Sequence, residues 1–359
     1  MRRRRHGARA AGGGAAVLLC SALLACGSPG GPSLVPSAPM PFPLSGLTHV
    51  SWWHDEYQTA DASASRRELA ATGANWAGVL VTWYMDNPAS SRIGPDPQRT
   101  PSDAAVRQAI AELRSAGLQV MLKAHVDLQD GTWRGTIAPT DEASWFASYL
   151  AFASHYASLA QQAGVGLFCV GTELVGLSGA RHRAAWSSVI AAVRDRYRGP
   201  LTYAANAVAA ADEFTAVSFW DQLDYLGLDA YTPLTDRLDP TRQELVAGWS
   251  RNRFGENMLA AFRNWQGAWN KPVVFTEIGY RSGDGANSAP WDFGVALAPD
   301  PDEQADCYAA AFEVWTREGS WLRGVFWWSW AVAAPGPADT GYEPRRKPAE
   351  DLLRLWAPR

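Results

Sequence analysis

From residue 47 to the end of the chain, short apolar runs rich in Val, Leu and Ala alternate with longer stretches whose apolar positions recur every three or four residues. The first pattern suits strands buried on both faces, and the second suits helices that bury one side. Strands are expected at Thr48–Trp53, Ala77–Trp83, Gln119–His125, Leu167–Gly171, Leu201–Ala205, Tyr225–Ala230, Pro272–Thr276 and Gly324–Trp328. Helices are expected at Ser102–Ala116, Glu142–Ala163, Arg181–Tyr197, Arg242–Trp269, Asp302–Arg317 and Ala349–Trp356. Ser102 and Asp103 can cap the first of these, and Gly117, Gly164 and Gly199 stand where helices must stop. Only Ala207–Leu223 lacks clear periodicity. Eightfold alternation with no glycine-rich phosphate loop favours a closed (β/α)8 TIM barrel over an open doubly wound sheet.

The N-terminus follows a different pattern. Arg2 to Arg5 and Arg9 precede the small, apolar stretch Ala10–Ala25, and Leu23-Leu24-Ala25-Cys26 resembles a bacterial lipoprotein cleavage box. Residues 1–25 are therefore expected to be a lipoprotein signal peptide, cleaved before Cys26, whose thiol would carry the lipid. A plain secretory signal with an incidental Cys26 is the alternative. Residues 26–44, rich in Pro, Gly and Ser, read as a disordered tether. Residues 45–359 would form the barrel, exported and lipid-anchored on the outer face of the bacterial cell membrane.

Charge narrows the partners. Removing the five leader arginines from 32 basic residues leaves 27 against 36 acidic ones, a net charge near −9. An acidic exterior argues against nucleic acid. The membrane would be met only through the lipid, and the oligomeric state is not legible. Cys169 and Cys307 are expected to be buried free thiols, and no cysteine cluster suggests zinc.

The chemistry lies at the strand ends. Phe168-Cys-Val-Gly-Thr-Glu-Leu174 and Val273-Val-Phe-Thr-Glu-Ile-Gly-Tyr280 are apolar runs that each stop at a glutamate. In a parallel barrel such ends converge on one mouth, and the 104 positions between Glu173 and Glu277 accommodate three β/α units of roughly 30–35 residues. Two carboxyl groups facing one cleft are what glycoside hydrolysis requires. Other strand ends offer Trp52, Trp83, Lys123, His125, Asp127, Asn206, Asp229, Tyr231, Trp328 and Trp330. Aromatic faces beside polar groups suit the flat C–H faces and hydroxyl rim of a sugar.

These residues resemble clan A glycoside hydrolases, and most closely glycoside hydrolase family 113, whose known members are β-1,4-mannanases. The resemblance rests on Gly171-Thr-Glu-Leu174 and Thr276-Glu-Ile-Gly-Tyr280, with Lys123-Ala-His-Val-Asp127, Leu228-Asp-Ala-Tyr231 and Phe326-Trp-Trp-Ser-Trp330 in support. It covers roughly residues 45 to 335. It implies a β-linked oligo- or polysaccharide substrate, Glu173 as general acid/base and Glu277 as nucleophile, about 5–5.5 Å apart, with retention of configuration. Tyr231 would donate a hydrogen bond to Glu277, Trp328 or Trp330 would floor the sugar, and Lys123, His125 and Asp127 would contact hydroxyls. No cofactor or metal is implied. The sequence departs from the clan at Thr172, where most members carry Asn, so the 2-hydroxyl contact falls to another residue, with Asn206 the candidate.

Competing readings exist for each residue. Either glutamate alone could be a buried ion-pair partner. Asp229 could orient Lys123 or Tyr231 instead of touching substrate, and Trp52 and Trp83 could fill the barrel. Tryptophans 145, 186, 249, 265 and 315 lie on expected helices and should pack against the strands. Two other functions fit less well. A metal-dependent hydrolase using His125, Asp127, Glu173 and Asp229 would lack the paired first-strand histidines, since His49 and His54 are not in His-x-His spacing. A lipid-anchored, non-catalytic glycan-binding barrel would not need both glutamates.

Overall fold

Each of the eight expected strands is matched by a strand that overlaps it. The computed structural model describes residues 42–358, which lie within one compact unit. Its strands are β1 (Leu44–His49), β2 (Trp76–Met85), β3 (Gln119–Leu128), β4 (Leu167–Thr172), β5 (Leu201–Asn206), β6 (Leu226–Asp229), β7 (Val273–Ile278) and β8 (Leu322–Trp330). They close in sequence order into a barrel, all parallel, with β8 paired back onto β1. The architecture is a (β/α)8 TIM barrel. The leader, Cys26 and most of the tether lie outside the described residues. Phe42 is buried in the core and Leu44 is already in β1, so the folded body begins before residue 45.

The helices are α1 (Ala60–Ala70), α2 (Asp103–Ser115), α3 (Glu142–Ala163), α4 (Arg183–Arg194), α5 (Glu213–Ala216), α6 (Arg242–Gly248), α7 (Met258–Trp269), α8 (Pro301–Trp315) and α9 (Pro348–Leu355). Asp141 caps α3 by accepting from the Ser144 amide, and Gly164 ends it in the left-handed region at φ 69°. The long helix expected at Arg242–Trp269 is two helices. A turn closed by Asn252 and Glu256, with Gly255 at φ 79°, separates them, and Asn257 caps the second. Helix α1 was not expected because its Ala- and Ser-rich sequence has a weak apolar stripe. It is anchored by the Thr59 cap and by the buried guanidinium of Arg66 on Glu112 and the Tyr57 carbonyl. Strand β1 starts and ends four residues before the expected one, since its ladder stops at His49. Trp52 and Trp53, which made the sequence look strand-like there, are instead exposed in the following loop.

Two apolar layers hold the barrel. Leu44, Met121, Leu167, Cys169, Ala204, Val274 and Phe326 pack together inside it. Outside, the helix tryptophans 145, 186, 249, 265 and 315 are buried in the main core. Burial contributes roughly 1.5–3 kcal/mol for each large apolar side chain. Gly171 is required by close approach: a Cβ there would lie 2.4 Å from the Tyr149 hydroxyl, which donates to the Val170 carbonyl. Cys169 and Cys307 are both buried free thiols.

Candidate active site

Parallel register decides which side chains meet. Thr82 and Tyr84 pair with His125 and Asp127, Asn206 pairs with Asp229, and Asp229 pairs with Glu277. Side chains alternate between faces along a strand, so Lys123, His125 and Asp127 share one face of β3, toward the barrel axis.

Glu277 is the most constrained of these groups. Lys123 Nζ donates to its Oε1, and the same ammonium donates to both oxygens of Asp229 at 2.9 and 3.1 Å. The Tyr231 hydroxyl donates to Glu277 Oε2 at 2.6 Å, and His125 Nε2 lies 3.5 Å from Oε1. Burial alone would raise the Glu277 carboxyl, but Lys123 and His125 outweigh it and hold it well below the usual carboxylate range. Burial and the charge of Arg134 push His125 down to about 4, so at neutral pH its ring acts on Glu277 as a dipole and not as a cation.

Glu173 has a different environment. It follows the last residue of β4 with φ 51°, a left-handed conformation uncommon outside glycine, and its amide donates to the Ala204 carbonyl. Its carboxyl is raised, first by burial and further by the charge of Glu277, against the opposing charge of Arg134. Burial and the mutual charge of the pair thus push the two acidities apart, the arrangement that lets one carboxyl hold a proton while the other stays ionised.

The other candidates divide. Trp328 stacks parallel to His125 at 6.0 Å, and Trp52 meets it edge-on at 6.3 Å; both indoles are partly exposed. Asp127 joins the site through Arg134. Asn206 donates its amide to Asp212 at 2.8 Å, and its backbone N–H donates to Glu213. Thr172 spends its hydroxyl on the Ala124 carbonyl at 3.0 Å.

Four expectations are corrected. Lys123 is fully buried and bonded to two carboxylates, so it organises Glu277 and is not free to meet sugar hydroxyls. Asp229 is likewise fully buried between Lys123 and the Thr276 hydroxyl, and orients Lys123. Trp83 pairs with Val126 on the outward face of β2 and packs on Phe152, His155 and Tyr156 of α3. Trp330 is also turned outward. A register shift between β1 and β8 pairs Leu47 with Trp327 and His49 with Trp330, and the Trp330 indole donates to the Ser65 carbonyl of α1.

Trp133 and Arg134, in the loop after β3, were not singled out, yet both donate to Glu173 Oε2, at 3.1 and 3.0 Å. An aromatic and a cation in a loop that follows a barrel strand was a readable signal. Tyr342 was also missed; its ring lies 6.2 Å from that of Tyr231. Among the described residues no group of three or more His, Cys, Asp or Glu side chains is arranged to hold a metal ion. Lys123 and Arg134 instead neutralise the carboxylates that such a centre would need.

The model of Glycoside Hydrolase Family 113 matches residues 49–343. A family 113 β-mannanase of Alicyclobacillus acidocaldarius, solved with the ligand ManMIm, is 32% identical, with 86% of this chain and 95% of that one covered and a TM-score of 0.76. A second family 113 β-1,4-mannanase is 26% identical over 88% of this chain and 99% of its own, with a TM-score of 0.78. A β-glucuronidase of Ruminococcus gnavus, 13% identical with a TM-score of 0.57, covers 87% of this chain and 49% of its own and shares the fold alone. Comparison with curated proteins found no match.

Proposed function

The chain belongs to glycoside hydrolase family 113, and from that premise we propose that it is a retaining endo-β-1,4-mannanase working by double displacement between Glu173 and Glu277. The enzyme is a glycoside hydrolase. The observation that carries the mechanistic reading is the contrast between its two carboxyl groups: Glu277 held ionised by Lys123, and Glu173 pushed toward its protonated form by burial.

Glu277 attacks the anomeric carbon while the departing glycosidic oxygen takes the proton of Glu173, leaving a covalent glycosyl-enzyme. Glu173, now ionised, takes a proton from water as that water attacks the same carbon and releases Glu277. The carboxyl groups should stand about 5–5.5 Å apart, with net retention. Tyr231 steadies the nucleophile, and Trp328 with Trp52 supplies the aromatic surface for the sugar. That its family 113 neighbours are β-mannanases supports mannan over other β-glycans. The leader and Cys26 support export and lipid anchoring to the cell membrane.

The test is a screen of purified protein against mannan, glucomannan, xylan and cellulose with product analysis, alongside Glu277→Ala. The variant should fold, bind glycan and lose hydrolysis, and azide should restore turnover with an inverted product. Undiminished hydrolysis by the variant would remove Glu277 from the nucleophile role.

A further inference from the structure

The loop between β3 and α3 makes a contact that the double displacement alone does not require. Trp133 Nε1 and Arg134 Nη1 both donate to one oxygen of Glu173, Oε2. Among the described residues none donates to Oε1. An oxygen already accepting from an indole N–H and a guanidinium is a poor seat for an acidic proton, because an O–H there would point at two donors. The proton then belongs on Oε1.

The loop is built to hold this arrangement. Arg134 also donates to Asp127 and to the Val126 carbonyl at 3.1 Å, so its fork is fixed from β3. Gly135 lies under the indole of Trp133: a Cβ there would come within 2.3 Å of the ring. Trp133 is 46% exposed, which leaves its outer face open beside the acid.

We propose that Trp133 and Arg134 are positioning residues that commit Glu173 Oε2, confine the catalytic proton to Oε1, and set the upper pH limit of glycan cleavage. This rests on Glu173 being the acid. The groups that act on it are Arg134 of the loop, Lys123 of β3, Asp229 of β6, Glu277 of β7, Glu213 of α5 and Tyr342 of the C-terminal loop, while Asp127 and His125 of β3 and Tyr231 after β6 bear on it through Arg134 and Glu277. Arg134 is the cation hydrogen-bonded to the Glu173 carboxyl itself. It favours the ionised form and so opposes burial and Glu277. Its removal should let Glu173 keep its proton to higher pH.

The experiment is the pH dependence of kcat/KM on mannan for the wild type, Arg134→Gln, Arg134→Lys, Trp133→Phe and Glu173→Ala. An aryl β-mannoside whose leaving group needs no proton serves as a second substrate. In Arg134→Gln the alkaline limb on mannan should rise by about one pH unit or more, as expected for losing an adjacent guanidinium. Arg134→Lys should bring it back toward the wild-type position. Trp133→Phe keeps an aromatic ring, smaller than the indole, but loses the N–H, so the limb should rise by less. If Arg134→Gln does not fold, Trp133→Phe decides alone. A limb that stays in place or falls in whichever variants fold would overturn the clamp. Failure of the underlying assignment would look different: Glu173→Ala would keep the alkaline limb on mannan, or would lose mannan and aryl substrate equally.

Discussion

Replacing Lys123 by Met tests the central electrostatic argument. Met nearly matches the length of the lysine stem, so packing is largely kept while the ammonium is lost. That ammonium is fully buried and serves two carboxylates, Asp229 and Glu277, themselves almost fully buried. Removing one partner of a buried ion pair leaves an uncompensated charge and costs about 3–5 kcal/mol. At the low end of about 2 °C per kcal/mol, appropriate for a large domain, Tm at pH 7 should fall by about 6–10 °C. The pH dependence sharpens the test. In the wild type, Glu277 is held below its unfolded value, so it contributes stability above the unfolded pKa that is lost as pH falls through the folded one. Without Lys123, burial governs and raises the carboxyl, and the acid limb of kcat/KM should move up from its wild-type position. The stability gap between the two proteins should narrow as pH is lowered, because protonation relieves the variant. Differential scanning calorimetry from pH 4 to 8 and a pH–rate profile on mannan measure both effects. A folded variant with an unmoved acid limb and less than about 1 kcal/mol of destabilisation would refute the argument.

Three further outcomes are expected. Tyr231→Phe removes the 2.6 Å hydrogen bond to Glu277 Oε2 and, at about 0.5–1.5 kcal/mol for such a bond, should lower kcat/KM about two- to tenfold, with the fold intact by circular dichroism; an unchanged rate would sink the contact. Glu173→Ala should lose far more activity on mannan than on aryl mannosides with good leaving groups, measured by steady-state kinetics; equal losses would contradict its acid role. Trp330→Ala should cost about 3–5 kcal/mol of stability in chemical denaturation, since it empties a fully buried site, whereas Trp328→Ala should chiefly weaken substrate binding. Reversed effects in this pair would overturn the assignment of faces on β8.

The fold was legible because its signal is local and repeated: each strand carries its own apolar run and each main helix its own stripe. What failed was also local in origin. The weak stripe of α1 hid it, and the segment splitting α6 from α7 is bracketed by the buried apolar residues Trp249 and Met258, so it reads as a continuation of the helical stripe. At the site, Glu173 and Glu277 stood out because a carboxylate ending an apolar strand is anomalous wherever the rest of the chain goes. Lys123 was equally visible, but its role was not. Its partners lie 106 and 154 residues away, and only barrel register brings them to one ammonium.

The sequence by itself determined the eightfold alternation, the positions of the two glutamates at strand ends, and the aromatic supply around them, all of which follow from periodicity and residue type within a few positions. Tertiary structure alone decided which face each strand-end residue takes. One register shift between β1 and β8 puts Trp328 beside His125 and turns Trp330 against α1. Loop closure after β3 brought Trp133 and Arg134 onto Glu173. Side-chain direction alternates with a period of two, so a single bulge reverses it, and no count along the chain records where a bulge falls.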